Sequence, residues 1–339
     1  MNKPKDEPGL QTILSHCGRN LEASGGYVNV PPYEGSTILH DDMEDLFGRV
    51  DNHLYGDGTA QTYGTDGGPT HEAFYDAMNK LEGGAGTWAF STGLAGCTIP
   101  MMAFLKTGDH MLVTDSVYGP TRQFCEVLLK NFGVEAEFYE PTIGAGIEKL
   151  IRPNTRLIYM ESPGTHTFEM QDVPAIAAVA RKYNIVTMID NTYATPLNFQ
   201  PLKHGVDVVV HSATKYICGH SDVLMSTVTC NEKNWKQVRD VCKMTGQYAS
   251  AQSVYLGLRG LRTLKVRLDA VGVHTRKVVD WLLKREEVKK VIWPAYEKDP
   301  GYRIYKRDYS GPIGLFAFQF QDQYTDCLLY TSPSPRDRG

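Results

Sequence analysis

The 339-residue chain lacks the long apolar segments of membrane and secreted proteins. Residues 1–8 are polar and proline-rich, so they do not predict a signal peptide. The most apolar stretch considered, residues 90–105, is interrupted by serine, threonine and proline, and it predicts no membrane span. We therefore expect no membrane partner.

An excess of basic charge is also missing. The chain has 35 Lys and Arg residues against 39 Asp and Glu, which gives a formal charge of −4 at pH 7. Proteins that bind nucleic acid usually carry a basic face, so this balance predicts no nucleic-acid partner. The length allows one large domain with a smaller one beside it.

Paired cysteine motifs are absent. The seven cysteines are odd in number and scattered, without a C-x-x-C pair. This pattern favours reduced thiols in a cytoplasmic enzyme over a disulfide framework, and it predicts no zinc or other metal site.

Nucleotide-binding motifs are missing as well. Residues 63–71 form a glycine-rich turn that opens a helix, but they match neither a P-loop nor a G-x-G-x-x-G arrangement. A dehydrogenase interpretation would then rest on the fold alone, which does not imply a nicotinamide cofactor.

Short apolar strands alternate with helical patterns along most of the chain. Strands are predicted at residues 111–115, 134–139, 156–160, 185–189, 206–210 and 223–229, and helices at 121–131, 173–183 and 235–244. This alternation predicts an α/β fold with a doubly wound, mostly parallel sheet. A long basic helical zone at 253–284 and two strands at 288–293 and 314–320 predict a smaller α+β domain. The arginines of that zone are expected on its solvated or subunit-facing side.

Lys215 follows a predicted buried strand, so it falls in the turn beyond the carboxyl end of that strand. Ligands bind at such turns in sheets of this kind. Its neighbours Ser212 and Thr214 carry hydroxyls that could receive a phosphate, and the amine could form an imine with an aldehyde cofactor. Pyridoxal 5'-phosphate fits this description. The simpler interpretation is a surface lysine at the end of a strand.

Asp190 lies at the end of the preceding predicted strand. A parallel crossover would bring Asp190 and Lys215 to the same rim of the sheet. An aspartate there can keep a pyridine nitrogen protonated, so that the ring draws electrons from the substrate. Asp190 alone could equally be a helix N-cap or turn residue.

The segments Ile-Asp-Asn-Thr at 189–192 and Ser-Ala-Thr-Lys at 212–215 together resemble the Cys/Met-metabolism family of pyridoxal-phosphate enzymes. The resemblance runs from about residue 28 to about residue 320. It implies the aspartate-aminotransferase fold, which is fold type I of the pyridoxal-phosphate enzymes. Residues 161–164 and 169–176 are most similar to bacterial members that cleave cystathionine by β-elimination, giving homocysteine, pyruvate and ammonia in methionine synthesis.

The resemblance implies other functions less strongly. A γ-synthase or γ-lyase of the same family would use the same cofactor machinery, and it would differ in the substrate pocket. A non-catalytic relative that retains the fold as an interaction surface is the alternative from another class. The expected substrate of an active member is an amino acid, that is, a small molecule.

The resemblance also assigns roles to site residues. Tyr118 is expected to stack on the cofactor ring, and Gly93 and Leu94 to offer backbone N–H groups to its phosphate. The sequence itself predicts Ser91 as an ordinary N-cap of their helix. The catalytic set is Lys215, Tyr118 and Tyr63, and the cofactor-binding set is Lys215, Asp190, Gly93, Leu94, Tyr118, Ser212, Thr214 and Tyr63.

Tyr63 is expected to reach from one subunit to the cofactor phosphate of the next. Members of the family usually carry an arginine two residues further on, where this chain has Thr65, followed by Asp66. Because an arginine can hold a phosphate through two charge-assisted hydrogen bonds, the departure predicts weaker phosphate binding.

The domain interpretation has four parts. Residues 1–62 form an arm that contacts a neighbouring subunit, 63–252 bind the cofactor, 253–326 form a linking helix and an incomplete carboxyl-terminal domain, and 327–339 are a Ser/Pro-rich tail foreign to the family. We expect a homo-oligomer, a dimer of dimers by resemblance. The arginine that clamps the substrate carboxylate in the family has no match in this chain, which suggests a truncated copy.

Overall fold

A computed structural model describes residues 9–56 and 60–324. The tail predicted at 327–339 lies outside the described residues. The helices are α1 Leu10–His16, α2 Met43–Tyr55, α3 Pro69–Glu82, α4 Gly93–Thr98, α5 Gly119–Gln123, α6 Val173–Lys182, α7 Thr195–Asn198, α8 Glu232–Met244, α9 Ala251–Leu261, α10 Leu264–Leu282 and α11 Tyr302–Asp308. The strands are β1 Gly86–Phe90, β2 His110–Thr114, β3 Glu135–Tyr139, β4 Thr155–Glu161, β5 Val186–Asp190, β6 Val208–His211, β7 Ser226–Cys230, β8 Val288–Ile292 and β9 Ala317–Phe320.

Strands β1 to β7 form one sheet in the order β1-β7-β6-β5-β4-β2-β3. Five neighbouring strands of this sheet pair in parallel, namely β6, β5, β4, β2 and β3. Strand β7 runs antiparallel to both β6 and β1. The mostly parallel sheet predicted from the sequence is therefore confirmed. The order places β5 and β6 side by side, so the carboxyl ends of both strands share one rim.

Both faces of the sheet are covered by other parts of the chain. The strands are therefore continuous apolar segments in the sequence. Successive residues of β2 show this, because Met111 and Val113 belong to one buried apolar cluster and Leu112 belongs to another on the opposite face. The second face packs against α6, through Ile176 and Val179 among others. The core therefore consists of two apolar layers with the sheet between them.

The two parts of the amino-terminal region differ in how far their apolar side chains are buried. Leu14, Cys17 and Val30 are buried in a cluster with residues of α3 and α9, so this part packs onto the large domain. Helix α2, by contrast, has no buried residue, and its Met43 and Phe47 are each about 60% exposed. That apolar exposure is consistent with an arm, and the contact with a neighbouring subunit stays a prediction.

The zone predicted as one long helix at 253–284 is two helices, because the chain turns at Arg262 and Thr263. Its arginines are not simply solvated. Arg262 donates to the carbonyl of Leu14, and Arg267 donates to the carbonyls of Tyr216, Ile217 and Gly260. A guanidinium with several fixed donors suits this role, since it satisfies carbonyl groups left over by turns and helix ends.

The carboxyl-terminal part contains a small second sheet, in which β8 and β9 pair antiparallel. Val279, Leu282, Val291 and Trp293 form its buried cluster. The two predicted strands are thus present. Among residues 9–56 and 60–324, no helix has the length and apolarity needed to cross a bilayer.

Candidate active site

A cavity of about 390 Å³ opens at the rim where the parallel strands end. Its walls come from the end of β4 and the loop after it, the ends of β5 and β6, the turn before α5, and the first turn of α4. The lining residues are Thr92, Gly93, Leu94, Cys97, Tyr118, Glu161, Thr165, His166, Asp190, Thr192, Tyr193, Ser212, Thr214, Lys215 and Leu224. Seven of the eight residues predicted from the sequence are among them, and Tyr63 is the exception.

Asp190 is the last residue of β5 and is 8% exposed. One carboxylate oxygen accepts the backbone N–H of Thr192 at 2.9 Å, and the other faces the thiol of Cys97 at 3.5 Å. These two contacts fix the side chain while it remains part of the cavity wall. A buried carboxylate held in this way is well placed to bind a cationic ring N–H group.

Lys215 lies four residues beyond the end of β6 and is exposed. Its backbone N–H donates to the carbonyl of Ser212, and its carbonyl accepts the N–H of Gly219, so the turn that carries it is hydrogen-bonded on both sides. Gly260 of α9 packs closely beneath this turn, because a Cβ there would lie 2.1 Å from the carbonyl oxygen of Ile217. The amine is therefore presented from a fixed backbone.

Ser212 and Thr214 flank Lys215 but differ in their hydrogen bonding. The Thr214 hydroxyl donates to the carbonyl of Met225 at 3.1 Å and accepts the N–H of the same residue at 2.9 Å. A hydroxyl has only one proton to donate, so Thr214 can serve a phosphate only by releasing Met225. Ser212 is the more available donor of the two.

Helix α4 begins after Thr92, whose hydroxyl accepts the N–H of Ala95 at 3.2 Å. The sequence predicted Ser91 as the N-cap, which is one residue too early. Thr92 takes the extended backbone conformation of a cap, and Gly93 and Leu94 follow it at the cavity wall. The two residues predicted as backbone donors therefore line the cavity, and their role toward a phosphate stays a prediction.

Tyr118 precedes α5 and is 43% exposed at the cavity. Its backbone N–H donates to the carboxylate of Glu161 at 2.8 Å. Burial, and then the charge of Asp190, raise the pKa of Glu161 to about 8. In the sequence, Glu161 stands out only as part of the motif at residues 161–164. Glu161 ends an apolar strand, as Asp190 does on the neighbouring strand. This position could have identified Glu161 as a site residue from the sequence.

Tyr63 lies away from this cavity in its own chain and is 51% exposed. It precedes a short 3-10 turn in which the carboxylate of Asp66 accepts hydrogen bonds from the N–H and hydroxyl of Thr62 and from the N–H of Tyr63. Asp66 also faces His53 at 3.4 Å and Lys243 at 3.9 Å. Its negative charge is thus engaged within the turn.

The cavity fits an aromatic aldehyde that carries a phosphate, such as pyridoxal phosphate. Gly93 leaves a cradle beside Ser212, since a Cβ at Gly93 would lie only 2.8 Å from the Ser212 hydroxyl oxygen. Asp190 offers a carboxylate for a ring nitrogen, and Lys215 offers an amine for an aldehyde. Among the described residues, no group of three or more His, Cys, Asp or Glu side chains is arranged to hold a metal ion.

A second, more open cavity of about 780 Å³ adjoins the first. The two share Thr214, Lys215 and Leu224, and the second extends to Arg267 and His274 of α10. Lys215 therefore lies between a narrow pocket that fits the cofactor and a wider space with room for a substrate.

Comparison with known proteins identifies the family of this chain. The family described as Cys/Met metabolism PLP-dependent enzyme matches residues 11–330. Cystathionine beta-lyase of Haemophilus influenzae is 39% identical over 318 residues, which cover 93% of this chain and 80% of that protein. Cystathionine beta-lyase MetC of Escherichia coli is 39% identical over 311 residues, which cover 91% of this chain and 78% of that protein.

Solved structures of enzymes with related activity share the fold of this chain. Cystathionine gamma-lyase from Lactobacillus plantarum, complexed with L-serine, superimposes with a TM-score of 0.86 at 29% identity, over 93% of this chain and 80% of that one. The fold type I architecture predicted from the sequence is therefore confirmed. The family match and these relatives each cover most of the chain. The chain therefore belongs to the pyridoxal-phosphate-dependent enzymes of cysteine and methionine metabolism.

Proposed function

We propose that this enzyme is a carbon–sulfur lyase that cleaves L-cystathionine by β-elimination and, with the uptake of a water molecule, yields L-homocysteine, pyruvate and ammonia. The observation that carries the proposal is the meeting of Asp190 and Lys215 in one cavity at the ends of neighbouring parallel strands. The β-lyases of H. influenzae and E. coli support the choice of substrate, through their identity over most of this chain.

Pyridoxal phosphate, when bound, supplies an electron sink that makes the α-proton of an amino acid acidic. We assign its ring nitrogen to Asp190, one ring face to Tyr118, and its phosphate to Ser212, Gly93 and Leu94. Thr214 takes part through the backbone of Met225, which its hydroxyl holds in place. The result is a fixed orientation of the reacting atoms.

Lys215 has two tasks in the proposed reaction. Its amine holds the cofactor before the substrate arrives, and once displaced it removes the α-proton as a general base. The carbon–sulfur bond then breaks with its electron pair on sulfur, and the proton carried by Lys215 goes to that sulfur. Position supports both tasks, because Lys215 borders both cavities.

We further propose that the enzyme works as a homo-oligomer, in which Tyr63 of one subunit completes the phosphate site of another. The exposed apolar side chains of the arm support this, with Leu39 at 89% and Tyr55 at 80% exposed. A dimer of dimers and a cytoplasmic location are part of the same proposal. The six described cysteines are free and buried, which is consistent with a reducing compartment.

A product assay tests the reaction. The purified enzyme with saturating pyridoxal phosphate should release pyruvate from cystathionine in step with free thiol. Release of 2-oxobutyrate instead would indicate γ-elimination, the alternative that the structural likeness to a γ-lyase favours. Neither product, with cofactor demonstrably bound, would refute the lyase proposal.

A further inference from the structure

Glu161 is a buried carboxylate at the centre of the site, and none of the roles above uses it. It ends β4, pairs in register with Asp190 on β5, is 4% exposed, and lines the smaller cavity. A buried acid is unfavourable unless hydrogen bonds satisfy it, so its contacts indicate its purpose.

The two oxygens of Glu161 bind two different walls of the cavity. One oxygen accepts the backbone N–H of Tyr118 at 2.8 Å, and the other accepts the hydroxyl of Thr165. Tyr118 belongs to the turn after β2, whereas Thr165 belongs to the loop after β4. One side chain thus ties both segments to the strand beside Asp190.

The loop that contains Thr165 needs such support. His166 and Phe168 have positive φ angles of 65° and 55°, in the left-handed region that is unfavourable for residues other than glycine. Backbone of this kind persists only where surrounding contacts hold it. The N–H of Thr165 also donates to the carbonyl of Ser116 at 2.8 Å, so the loop and the Tyr118 turn are joined at two points.

We propose that Glu161 is a positioning residue, which holds Tyr118 and the 164–168 loop at a fixed distance from Asp190 and so shapes the cofactor pocket. The proposal rests on the assignment of Tyr118 to the cofactor ring. Loss of the Glu161 side chain frees one wall to move and leaves a buried N–H without a partner.

The carboxyl of Glu161 also links cofactor binding to pH. The ionisable groups around it are Asp190, Cys97, Tyr159 and Tyr193, and Lys215 and His166 line the same cavity. Because burial and the charge of Asp190 raise its pKa to about 8, Glu161 is mostly protonated at pH 7. A cation bound at Asp190 offsets that charge and lowers the pKa of Glu161, so binding at pH 7 releases a proton and tightens as pH rises toward 8.

The test is titration of the apoprotein with pyridoxal phosphate, followed by fluorescence and by calorimetry in buffers of different ionisation enthalpy. Glu161→Ala should raise the Kd about ten- to a hundredfold, because the hydrogen bonds to Tyr118 and Thr165 are lost together. Glu161→Gln keeps the volume and an acceptor oxygen. It should bind within a few fold of the parent at pH 7 but release fewer protons.

The loop offers a matched pair of controls. Thr165→Val removes the hydroxyl that binds Glu161 and should weaken cofactor binding several fold, whereas Thr167→Val alters an exposed hydroxyl in the same loop and should leave the Kd unchanged. If Glu161→Ala does not fold, the Gln and Val variants carry the test.

Two results would overturn the inference: parental Kd and proton release in Glu161→Gln and Thr165→Val, or an equal loss in Thr167→Val. An enzyme that binds the cofactor in the expected pH-dependent way but makes no pyruvate would refute the proposed reaction only.

Discussion

The cofactor cavity and the Tyr63 turn are organised in opposite ways. The cavity draws on strand ends and loops distributed from Thr92 to Leu224, and the parallel sheet brings them together. The hydrogen bonds of the Tyr63 turn are local, since Asp66 accepts them from Thr62 and Tyr63, and the more distant Lys243 only faces Asp66 at 3.9 Å. The residues of the cavity are brought together by the fold of a single chain, whereas the turn presents an exposed tyrosine that fits a role toward the cavity of a second copy.

The difference shows which contacts a chain can make alone. Strand ends meet because the sheet is continuous, and no partner is needed. The tyrosine has no place in the cavity of its own chain, so its proposed role requires an oligomer. Five substitutions test this contrast, from the strand ends to the turn.

Lys215→Ala should have the largest effect. Loss of the general base alone should lower kcat about 10²–10⁴-fold. Borohydride should trap the cofactor at Lys215 in the parent enzyme and not in the variant, as checked by peptide mapping. Lys233→Ala, an exposed lysine near the start of α8, is the control and should behave as the parent. Trapping at another lysine would refute the assignment.

Asp190→Asn should come next. Removing the charge that faces a buried ring cation costs about 3–5 kcal/mol, which is roughly two to three and a half orders of magnitude in kcat/KM. The amide keeps the shape and the acceptor for Thr192, so the fold should survive. Circular dichroism and the cofactor absorbance spectrum check both points. A variant with parental kcat/KM would remove Asp190 from the mechanism.

Thr65→Arg should tighten cofactor binding about ten- to a hundredfold if it adds a charge-assisted hydrogen bond to the phosphate. Asp66 should not oppose this, because its carboxylate is already engaged with Thr62, Tyr63, His53 and Lys243. Thr65→Gln is the uncharged control. An unchanged Kd in Thr65→Arg would show that another cation already fills the role.

Mixing Tyr63→Phe subunits with Lys215→Ala subunits tests the partner role directly. If Tyr63 serves a neighbouring cavity, random two-subunit assembly should restore about a quarter of the parental sites, because hybrids contain one intact combination. Activity is measured after the two variants are unfolded and refolded together. No recovery, with hybrids confirmed by mass, would place the Tyr63 function within one chain.

Asp66→Asn should have the smallest effect. The amide keeps an acceptor for the turn but loses the charged pairing, and a weakened cap costs about 1 kcal/mol. We expect a decrease in Tm of about 2–4 °C by calorimetry. Asp51→Asn, on the exposed side of α2, is the control and should leave Tm unchanged. A loss of activity without a change in Tm would give Asp66 a chemical role instead.

The central pair could be predicted from the sequence. Asp190 and Lys215 each follow an apolar segment, and a parallel crossover leaves little choice about where such residues lie. The helix-to-strand alternation predicted the mostly parallel sheet for the same reason. Local patterns were less reliable for details, such as the cap at Thr92 and the break between α9 and α10, because tertiary contacts decide where a helix starts and turns.

The sequence by itself determined the fold class, the strand-end carboxylate and amine, and the family. Only the tertiary structure decided that Glu161 joins two cavity walls, that Thr214 hydrogen-bonds Met225, and that the Asp66 carboxylate faces Lys243. The physical reason is that the apolar pattern that predicts strands and helices is local in the sequence. Hydrogen-bond partners that are far apart in sequence meet only when the sheet forms. The hydrogen-bond geometry of a buried polar group therefore depends on neighbours that cannot be predicted from the local sequence.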